Sequence, residues 1–336
     1  MLLTPDRAQT LFRRFQDLKI AVVGDLMLDR YVQGQVDRIS PEAPVPVLRV
    51  LRERSVPGGA CNVALNLKTL GAEARVCGIV GTCAHGDELI DQLRRAGVDV
   101  AAVHRQPEMT TIVKTRIIAD RQQMLRVDRE QPDIQPLAES AAFIDCARRA
   151  MQGVQGAVLE DYGKGVLVQN VVTAVLQAAR SAGIPCGYDP KDNHELDVRG
   201  VTFATPNRKE AFTVAGIRDR TPEAPPLADT ALQSAAARLR DLWAPEHLMI
   251  TLGPQGMLLL SGGDPPEHVS TRAREVFDVS GAGDTVIATA TLALSAGASF
   301  REAAELANAA AGIVVGKLGT ATTTSEEILA TLEARA

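Results

Sequence analysis

Apolar runs bounded by turn residues alternate along this chain with segments of helical periodicity. Continuous apolar stretches predict six strands, at residues 19–25, 74–81, 156–165, 184–190, 201–207 and 247–253. Apolar residues spaced three and four apart predict helices at residues 5–17, 60–71, 87–97, 168–183 and 230–243. Strands that alternate with helices predict an α/β fold, with a mainly parallel central sheet flanked by helices on both faces. Ligands of such folds bind beyond the carboxyl ends of the strands.

Two segments depart from the pattern of apolar strands and helices, because they alternate apolar with polar residues and contain many β-branched side chains. Residues 43–56 and 110–128 therefore predict exposed antiparallel strands. We expect them to form a small β-sheet lid, to which about residues 31–56 and 108–128 contribute. The alternative is that they are edge strands of the main sheet. A small sheet needs a partner for its apolar face, which is either the mouth of the active site or a second subunit, and we expect a homodimer through the lid strands.

Composition and charge exclude several classes of protein. The chain has 336 residues, a formal net charge of −5 and 46% hydrophobic residues, so it can bury a core but lacks the basic surface that nucleic-acid binding needs. It contains neither a long uncharged apolar run nor a secretion signal, which predicts a cytoplasmic protein without a membrane partner. The five cysteines form no C-x-x-C pair, which favours reduced thiols over disulfides or zinc.

The stretch DVSGAGDTVIATATLALSAG places a carboxylate where a glycine turn becomes a helix. Gly281, Ala282 and Gly283 precede this helix, and its first N–H groups and dipole form an anion site. Asp284 is either a reactive group beside that site or simply the helix N-cap, for which Asp is a favoured residue. The turn alone does not decide between the two.

A second glycine turn, PGGACNVALNLKTLGA, also leads into a helix. Gly58 and Gly59 permit close approach of the backbone, and Asn62 can donate to or accept from hydroxyls; the alternative is that Asn62 caps the helix. Asp29 follows the first predicted strand and can accept from sugar hydroxyls, although a lone acid there is more often on the surface.

The segment TPNRKEA carries an amide and a carboxylate three residues apart. Asn207 and Glu210 therefore lie on one face of a helix, where they suit a magnesium ion that keeps its waters. The alternative interpretation is an ordinary helix start, because Asn and Glu at this spacing are common in caps.

Taken in order, these motifs resemble the ribokinase-like, or PfkB-type, carbohydrate kinases over about residues 18–332. The set comprises GG-x-x-N, TPN-x-x-E, the T-x-G of Thr251–Gly253, and D-x-x-GAGD. The resemblance implies one ribokinase-like kinase domain over residues 1–336, with ATP and Mg²⁺ as cofactors.

More narrowly, GDLMLDRYVQGQVDRISPEAPVPVLRV, DYGKG, YDPK and ANAAAGIVVGKLGTAT resemble the kinases of bacterial ADP-heptose synthesis. This implies phosphorylation of the C1 hydroxyl of D-glycero-β-D-manno-heptose 7-phosphate, for lipopolysaccharide core assembly. Some such kinases are fused to a nucleotidyltransferase. Because this chain ends at EILATLEARA, we expect a separate nucleotidyltransferase to act downstream.

The resemblance also implies a role for each motif residue. Asp284 matches the base that takes the proton of the acceptor hydroxyl, and the amides of Gly281, Ala282 and Gly283 match the cradle for the moving phosphoryl group. Asn207 and Glu210 match the magnesium motif. The positions that match the nucleotide pocket are Thr251, Gly253, Asn308, Gly312 and Gly316. The positions that match the sugar site are Asp29, Gly58, Gly59 and Asn62. A potassium site is implied near Asp278 and Ser280, although Asp278 also suits a simple brace of the turn.

The phosphate of the acceptor needs local cations, because the chain as a whole is acidic. The candidates are Lys164 in DYGKG, Lys191 beside Asp189 in YDPK, and Arg116, Arg121 and Arg126 on the lid strands. Each could equally be a solvated surface charge.

Three other functions compete with this hypothesis. One is a kinase of the same fold that acts on fructose phosphates, ribose or adenosine. Another is a ligand-binding regulator without catalysis, which would have no need of the GAGD acid. A dinucleotide oxidoreductase is disfavoured, because GDLMLD after the first strand lacks G-x-G-x-x-G.

Overall fold

The computed structural model describes residues 3–120, 122–131, 134–192, 194–219, 225–271, 277–317 and 319–334. Within these ranges the chain forms eleven α-helices and fourteen strands. The helices are α1 Pro5–Phe15, α2 Ala60–Thr69, α3 Ala84–Arg95, α4 Gln135–Ala138, α5 Ala141–Ala150, α6 Gln169–Ala182, α7 Arg208–Ala215, α8 Thr230–Trp243, α9 Ala282–Ser295, α10 Phe300–Val314 and α11 Ser325–Glu333. The strands are β1 Lys19–Gly24, β2 Leu26–Ile39, β3 Pro46–Gly59, β4 Glu73–Cys77, β5 Ile79–Gly81, β6 His104–Gln106, β7 Ile112–Ala119, β8 Gln122–Arg129, β9 Gly156–Glu160, β10 Cys186–Asp189, β11 Phe203–Ala204, β12 His247–Thr251, β13 Met257–Ser261 and β14 Glu267–Val269.

Eight strands form the central sheet in the order β14-β13-β12-β11-β10-β9-β1-β4. Neighbours from β12 to β4 are parallel, whereas β13 and β14 add an antiparallel edge. The predicted α/β fold with a mainly parallel sheet is confirmed. Six carboxyl ends therefore lie along one edge of the sheet, where ligands of such folds bind.

Strand β1 shows why both faces of this sheet are covered. Ile20 and Val22 pack into one apolar core with α2, α9 and α10, while Ala21 and Val23 pack into another with α5, α6 and α8. Successive side chains of a strand point to opposite faces, so a continuous apolar run suits a strand with helices on both sides. The predicted two-sided packing is confirmed.

The observed strands are shorter than the six apolar runs that indicated them, and two of these runs depart most from a single full-length strand. Residues 74–81 divide into β4 and β5, because the chain leaves the central sheet at Gly78 and β5 pairs with β6 instead. A Cβ on Gly78 would lie 2.5 Å from the carbonyl oxygen of Gly24, so only glycine permits this close crossing. Residues 201–207 contribute only the two residues of β11.

Strands β3, β2, β7 and β8 form a separate sheet, which we call the lid sheet. Its two hairpin pairs, β2–β3 and β7–β8, are antiparallel as the alternation predicted, but β2 and β7 are parallel. The purely antiparallel prediction is wrong at this pair, because a long crossover through the α/β body separates the two strands in sequence. Strand β2 already begins at Leu26, so Asp29 lies within it.

Helix α9 crosses the central sheet and brings its first turn to the carboxyl ends of β9 and β10. Every residue from Asp284 to Ala293 is buried. The Thr285 hydroxyl donates to the Asn66 side chain of α2 at 3.0 Å, which ties the two helices together. The helix that follows the GAGD turn is therefore a fixed part of the core.

Candidate active site

The GAGD turn begins α9 with glycine as its N-cap. Gly281 has a φ of 79°, in the left-handed region that favours glycine. A Cβ there would also lie 2.7 Å from Asn62 Nδ2 and 2.8 Å from Thr320 Cγ2. The Ala282 N–H donates to the Val279 carbonyl at 3.3 Å. Asp284 is the third helical residue, so the alternative that it is the N-cap is wrong.

The Asp284 carboxylate is held by two neutral donors from distant parts of the chain. Asn62 Nδ2 donates to Oδ2 at 2.6 Å, and the Tyr162 hydroxyl donates to Oδ1 at 2.7 Å. Burial raises the pKa of Asp284, although Asn62, Tyr162 and the charge of Lys114 oppose the rise. The side chain is only 3% exposed, yet it lines a polar pocket. This is the setting of a positioned carboxylate that can accept a proton.

Asn62 donates a hydrogen bond to this carboxylate and does not cap a helix. It is the third residue of α2, whose N-cap is Gly59 with a φ of 59° and no side-chain cap. The two glycine turns that the sequence indicated thus meet at one point, through Asn62 of the first and Asp284 of the second. Their helices pack against each other in the same core.

Asp29 lies on the lid sheet close to this point. Its Oδ1 accepts from Arg116 Nη1 on β7 at 2.5 Å. A Cβ on Gly58 would lie 2.3 Å from Asp29 Oδ2, so glycine leaves the space that the carboxylate occupies. The Arg116 guanidinium also stands 5.4 Å from the centre of the Tyr31 ring. Asp29, Gly58 and Arg116 thus form one partly buried group.

The other predicted phosphate-binding cations that the structure describes are each paired with an acid. Lys164 forms an ion pair with Glu130 at 2.7 Å, and Lys191 forms one with Asp192 at 3.5 Å. Lys191 lines the polar pocket together with Asp189 and Asp284. Arg126 is exposed on β8 and is paired with Asp128 at 2.9 Å. Arg121 lies outside the described residues.

Two adjoining pockets lie against the first turn of α9. The polar pocket has a volume of about 150 Å³. Its lining includes Asp189, Lys191, Asn207, Glu210, Thr251, Gly281, Gly283 and Asp284. The second pocket is apolar, and its volume is about 190 Å³. Its lining includes Thr251, Gly253, Met257, Ala282, Gly283, Val286, Asn308 and Gly312. Thr251 and Gly283 line both, so the two pockets adjoin at these residues. Gly316 lies in the turn after α10 and is not among the described residues that line either pocket.

Asn207 and Glu210 form a capping box at the start of α7. Asn207 Oδ1 accepts from the Glu210 N–H at 3.0 Å, and Glu210 Oε2 accepts from the Asn207 N–H at 2.9 Å. The ordinary helix start is therefore present, but both residues also line the polar pocket. The second carboxylate oxygen of Glu210 is not used by the capping box, so the pair fits a magnesium ion bound through waters.

Asp278 and Ser280 brace the glycine turn. Asp278 Oδ1 accepts from the Ser280 N–H at 2.9 Å, and Oδ2 accepts from the Gly319 N–H at 3.0 Å. The bracing role that the sequence allowed for Asp278 is therefore present. On the opposite side, Asn308 Nδ2 donates to the Ser270 carbonyl at 2.7 Å and fixes that side of the apolar pocket.

Sequence reasoning missed four residues of this site, namely Asp25, Tyr162, Lys114 and Glu160. Asp25 is fully buried and accepts from the N–H groups of Tyr162, Lys164 and Val166 at 3.0–3.1 Å. Burial and the nearby charge of Asp161 raise its pKa to about 6. Asp25 therefore fixes the loop that carries Tyr162. Asp25 could have been recognised from its position just after β1, and Tyr162 from the aromatic residue in DYGKG.

The chain belongs to the pfkB family of carbohydrate kinases, because the family profile matches residues 17–327. It is therefore a sugar kinase, a phosphotransferase with an alcohol as acceptor. Kinases of this family use ATP and Mg²⁺. Across the described ranges, none of the helices has the length and apolar composition of a membrane span.

Among curated relatives, the chain is 43% identical to "Bifunctional protein HldE" of Trichlorobacter lovleyi over 323 residues, which are 96% of this chain. It is 46% identical to the protein of the same name from Pseudomonas aeruginosa PAO1 over 315 residues, or 94% of this chain. The chain spans 64% of the length of each of these relatives.

Solved structures with the same fold include Arabidopsis thaliana ribokinase complexed with ribose and ATP. That structure has a TM-score of 0.73 and 20% identity, and the match covers 94% of this chain and 99% of the other. Escherichia coli phosphofructokinase-2 in complex with potassium has a TM-score of 0.72 at 20% identity, with the same coverage. At this identity the likeness concerns the fold, which confirms the ribokinase-like prediction.

Proposed function

We propose that this kinase transfers the γ-phosphoryl group of ATP to the C1 hydroxyl of D-glycero-β-D-manno-heptose 7-phosphate, in the synthesis of ADP-heptose for lipopolysaccharide. The motifs that resemble the heptose-phosphate kinases support this acceptor. The identities of 43% and 46% to the two HldE proteins extend the likeness over nearly the whole chain.

Asp284 is the observation that carries this proposal. Its carboxylate lies at the start of a helix, lines the polar pocket, and is oriented by Asn62 and Tyr162. In the proposed reaction Asp284 takes the proton of the acceptor hydroxyl. The hydroxyl oxygen forms a bond to the γ-phosphorus, and the bond to the ADP oxygen breaks. A base held in place in this way suits phosphoryl transfer, which depends mainly on positioning and charge stabilisation.

The first turn of α9 would stabilise the negative charge of the transferred group. The N–H groups of Gly281, Ala282 and Gly283 lie at the positive end of the helix dipole, beside Asp284. Because the Ala282 N–H already donates weakly to Val279, we expect Gly283 to contribute most. Such preorganised donors act in a site from which water is largely excluded.

For the nucleotide, we propose that the apolar pocket holds the base and the polar pocket holds the phosphates. Thr251 and Gly253 would line the entry, and Asn308 and Gly312 the far wall, with Gly316 at the periphery. Asn207 and Glu210 would order the waters of magnesium, which supplies positive charge to the phosphate oxygens when it is bound.

For the acceptor, we propose that Asp29, Gly58, Gly59 and Asn62 contact the sugar and that Arg116 and Lys164 hold its 7-phosphate. Arg116 is the stronger candidate of the two, because it is already half-buried beside Asp29. We include Lys114 among the residues of the acceptor site, because its ammonium lies 5.0 Å from the centre of the Tyr162 ring. Lys191 and Asp189 belong instead to the nucleotide end, whereas Arg126 lies opposite Arg116 on exposed β8 and is paired with Asp128.

Two further proposals concern ions and assembly. Asp278 and Ser280 would lie beside a potassium ion; the related fold of phosphofructokinase-2 has been solved with potassium. A homodimer would form through the lid sheet, because six large apolar side chains are exposed on its strands and a seventh on the connection between β2 and β3. These are Ile39, Val45, Val50, Leu51, Met124, Leu125 and Val127.

An acceptor panel in a coupled assay of ADP release tests the proposed function. The panel contains the heptose 7-phosphate, the unphosphorylated heptose, fructose 6-phosphate, ribose and adenosine. We expect kcat/KM to be highest for the heptose 7-phosphate, by about a hundredfold or more over the unphosphorylated heptose, because a charge-assisted phosphate site is lost with the latter. Preference for an unphosphorylated sugar would reject this acceptor.

A further inference from the structure

Asp161 is the first residue of the loop 161–166, which follows β9 and carries Tyr162. Its side chain is only 1% exposed, and it lines the polar pocket. Asp161 Oδ1 accepts from the Gly163 N–H at 2.8 Å, which fixes the turn of the loop. The loop therefore depends on this carboxylate as well as on Asp25, which accepts from three of its N–H groups.

His194 is the partner of the other oxygen of Asp161. Its Nδ1 lies 2.6 Å from Asp161 Oδ2, and the Tyr188 hydroxyl donates to the same oxygen at 3.4 Å. An ionised carboxylate only accepts hydrogen bonds, so we assign Nδ1 of His194 as the donor. Of the side chains that the described residues bring within hydrogen-bond distance of Asp161, only that of His194 can carry a positive charge.

His194 reaches Asp161 from outside the site. It lies in the segment between β10 and β11, 33 residues after Asp161, and lines a surface groove of about 550 Å³ together with Trp243. It is not among the described residues that line the polar pocket. The hydrogen bond to Asp161 raises the pKa of His194, as do the charges of Asp161 and Asp25, although burial opposes the rise. A charged imidazole is therefore favoured beside these two buried acids.

We propose that His194 is a positioning residue for phosphoryl transfer, because its hydrogen bond to Asp161 holds the loop 161–166 where Tyr162 donates to Asp284. The contacts run from His194 to Asp161, along the loop backbone to Tyr162, and from its hydroxyl to Asp284 Oδ1 at 2.7 Å. Removing one partner of a buried carboxylate leaves the carboxylate uncompensated, so we expect the loop to move. The inference rests on Asp284 as the base of the proposed function and adds a residue from outside the two adjoining pockets.

Two substitutions of His194 separate its hydrogen bond from its packing. His194→Leu removes the donor, and we expect kcat to fall about threefold to tenfold, because Tyr162 is no longer held in place. His194→Asn has an amide that can donate from near the position of Nδ1, and its kcat should stay within about twofold of the wild type. Steady-state ADP release with saturating ATP and the acceptor that the wild-type chain prefers measures both. Equal losses in the two variants would overturn the inference.

His247→Leu is the matched control. His247 is another partly buried histidine whose Nδ1 takes part in a hydrogen bond, with Ser261 Oγ at 2.8 Å. It is the first residue of β12, whereas the site lies at the carboxyl ends of the parallel strands. We expect its kcat to stay within about twofold of the wild type. A loss as large as that of His194→Leu would overturn a specific role for His194.

A double-mutant cycle with Tyr162→Phe gives a readout that a merely structural role would not move. If His194 acts through Tyr162, His194→Leu should lower kcat by less than about twofold once Tyr162 is already phenylalanine. Independent effects would instead multiply, to a kcat about ninefold to a hundredfold below the wild type. A multiplicative result would therefore reject His194 as a positioning residue.

Nitrogen-15 NMR of the histidine rings tests the contact without any acceptor. We expect the His194 signals, identified by their loss in His194→Asn, to show a proton on Nδ1 at neutral pH. An Nδ1 without a proton would overturn the inference. If His194→Leu does not fold, His194→Gln replaces it in the kinetic tests, because its longer side chain places the amide beyond the position of Nδ1.

The cycle and the acceptor panel fail in different ways. A preferred acceptor other than the heptose 7-phosphate, with a cycle that is not multiplicative, would reject the proposed acceptor and support the role of His194. A multiplicative cycle measured with the heptose 7-phosphate as the preferred acceptor would retain the proposed function and reject the role of His194.

Discussion

The α/β body and the lid sheet arrange their polar groups in opposite ways. In the body, Asp284 and Asp25 are buried and held by neutral donors, at the ends of strands and helices that are themselves packed on both sides. In the lid sheet, Arg116 and Arg126 pair with acids, and large apolar side chains face outward. We infer that the body supplies fixed chemistry, whereas the lid sheet supplies acceptor recognition and depends on a partner.

The sharpest test of the body is Asp284→Asn. This change removes the base and keeps the size of the side chain, but it replaces one of the two oxygens that accept from Asn62 and Tyr162 by an amide NH2. We expect kcat to fall by about a hundredfold to ten-thousandfold. Nucleotide affinity, measured by calorimetry, should change little. A kcat within tenfold of the wild type would show that Asp284 is not the base.

The lid sheet is tested next by the double variant Leu51→Glu and Leu125→Glu. Both leucines are more than half exposed, at 59% and 56%. Introducing charges into an apolar interface should weaken a dimer by about 2–4 kcal/mol, or roughly thirtyfold to a thousandfold in Kd. Light scattering over micromolar concentrations measures the shift.

Leu227→Glu is the matched control for assembly, because Leu227 is 47% exposed but lies outside the lid sheet. It should leave the mass unchanged. A wild-type chain that is monomeric throughout the concentration range would contradict the proposed dimer.

Two arginines of the lid sheet sharpen the comparison further. Arg116→Lys keeps the charge beside Asp29 but loses the planar guanidinium, and we expect the KM for the heptose 7-phosphate to rise about tenfold. Arg49→Lys, at an exposed arginine of β3 that pairs with Asp37, serves as the control and should change the same KM by less than about twofold. Steady-state kinetics with saturating ATP measures both. Equal effects of the two substitutions would remove Arg116 from the acceptor site.

The smallest expected effect comes from Tyr162→Phe. Loss of the hydroxyl that donates to Asp284 should reduce kcat by about threefold to tenfold, because one hydrogen bond to a charged group is lost. The base must be ionised, so kcat falls as the pH falls through the pKa of Asp284. Without the Tyr162 donor this pKa rises further, and the acidic limb of the pH profile should move to higher pH. An unshifted limb would mean that Tyr162 acts only in packing.

Much of the site was predictable from short local motifs in the sequence, whereas the rest depends on long-range packing. The glycine turns near Asn62 and Asp284 were recognisable, because each is a short strand-to-helix signal. Their meeting was not, since 222 residues separate the two side chains. Tyr162 and Glu160 escaped notice because their roles depend on which strands lie next to each other.

The fold shows the same division. Apolar runs predicted the six parallel strands of the central sheet but not the antiparallel β13 and β14, because burial on both faces leaves a direct signature in the sequence. The length of strand β2 was underestimated, because its sequence LMLDRYVQGQVDRI changes from buried to exposed along the strand. The parallel pairing of β2 with β7 depends on chain crossover, which local alternation does not encode.

A crystal structure of the wild-type chain with the heptose 7-phosphate and a non-hydrolysable ATP analogue would show the reacting groups together. We expect the C1 hydroxyl oxygen to lie within about 3.2 Å of an Asp284 carboxylate oxygen, with the γ-phosphate in line behind it and next to the first turn of α9. A bound sugar whose C1 hydroxyl points away from Asp284, or a γ-phosphate distant from the Gly281–Gly283 turn, would contradict Asp284 as the base.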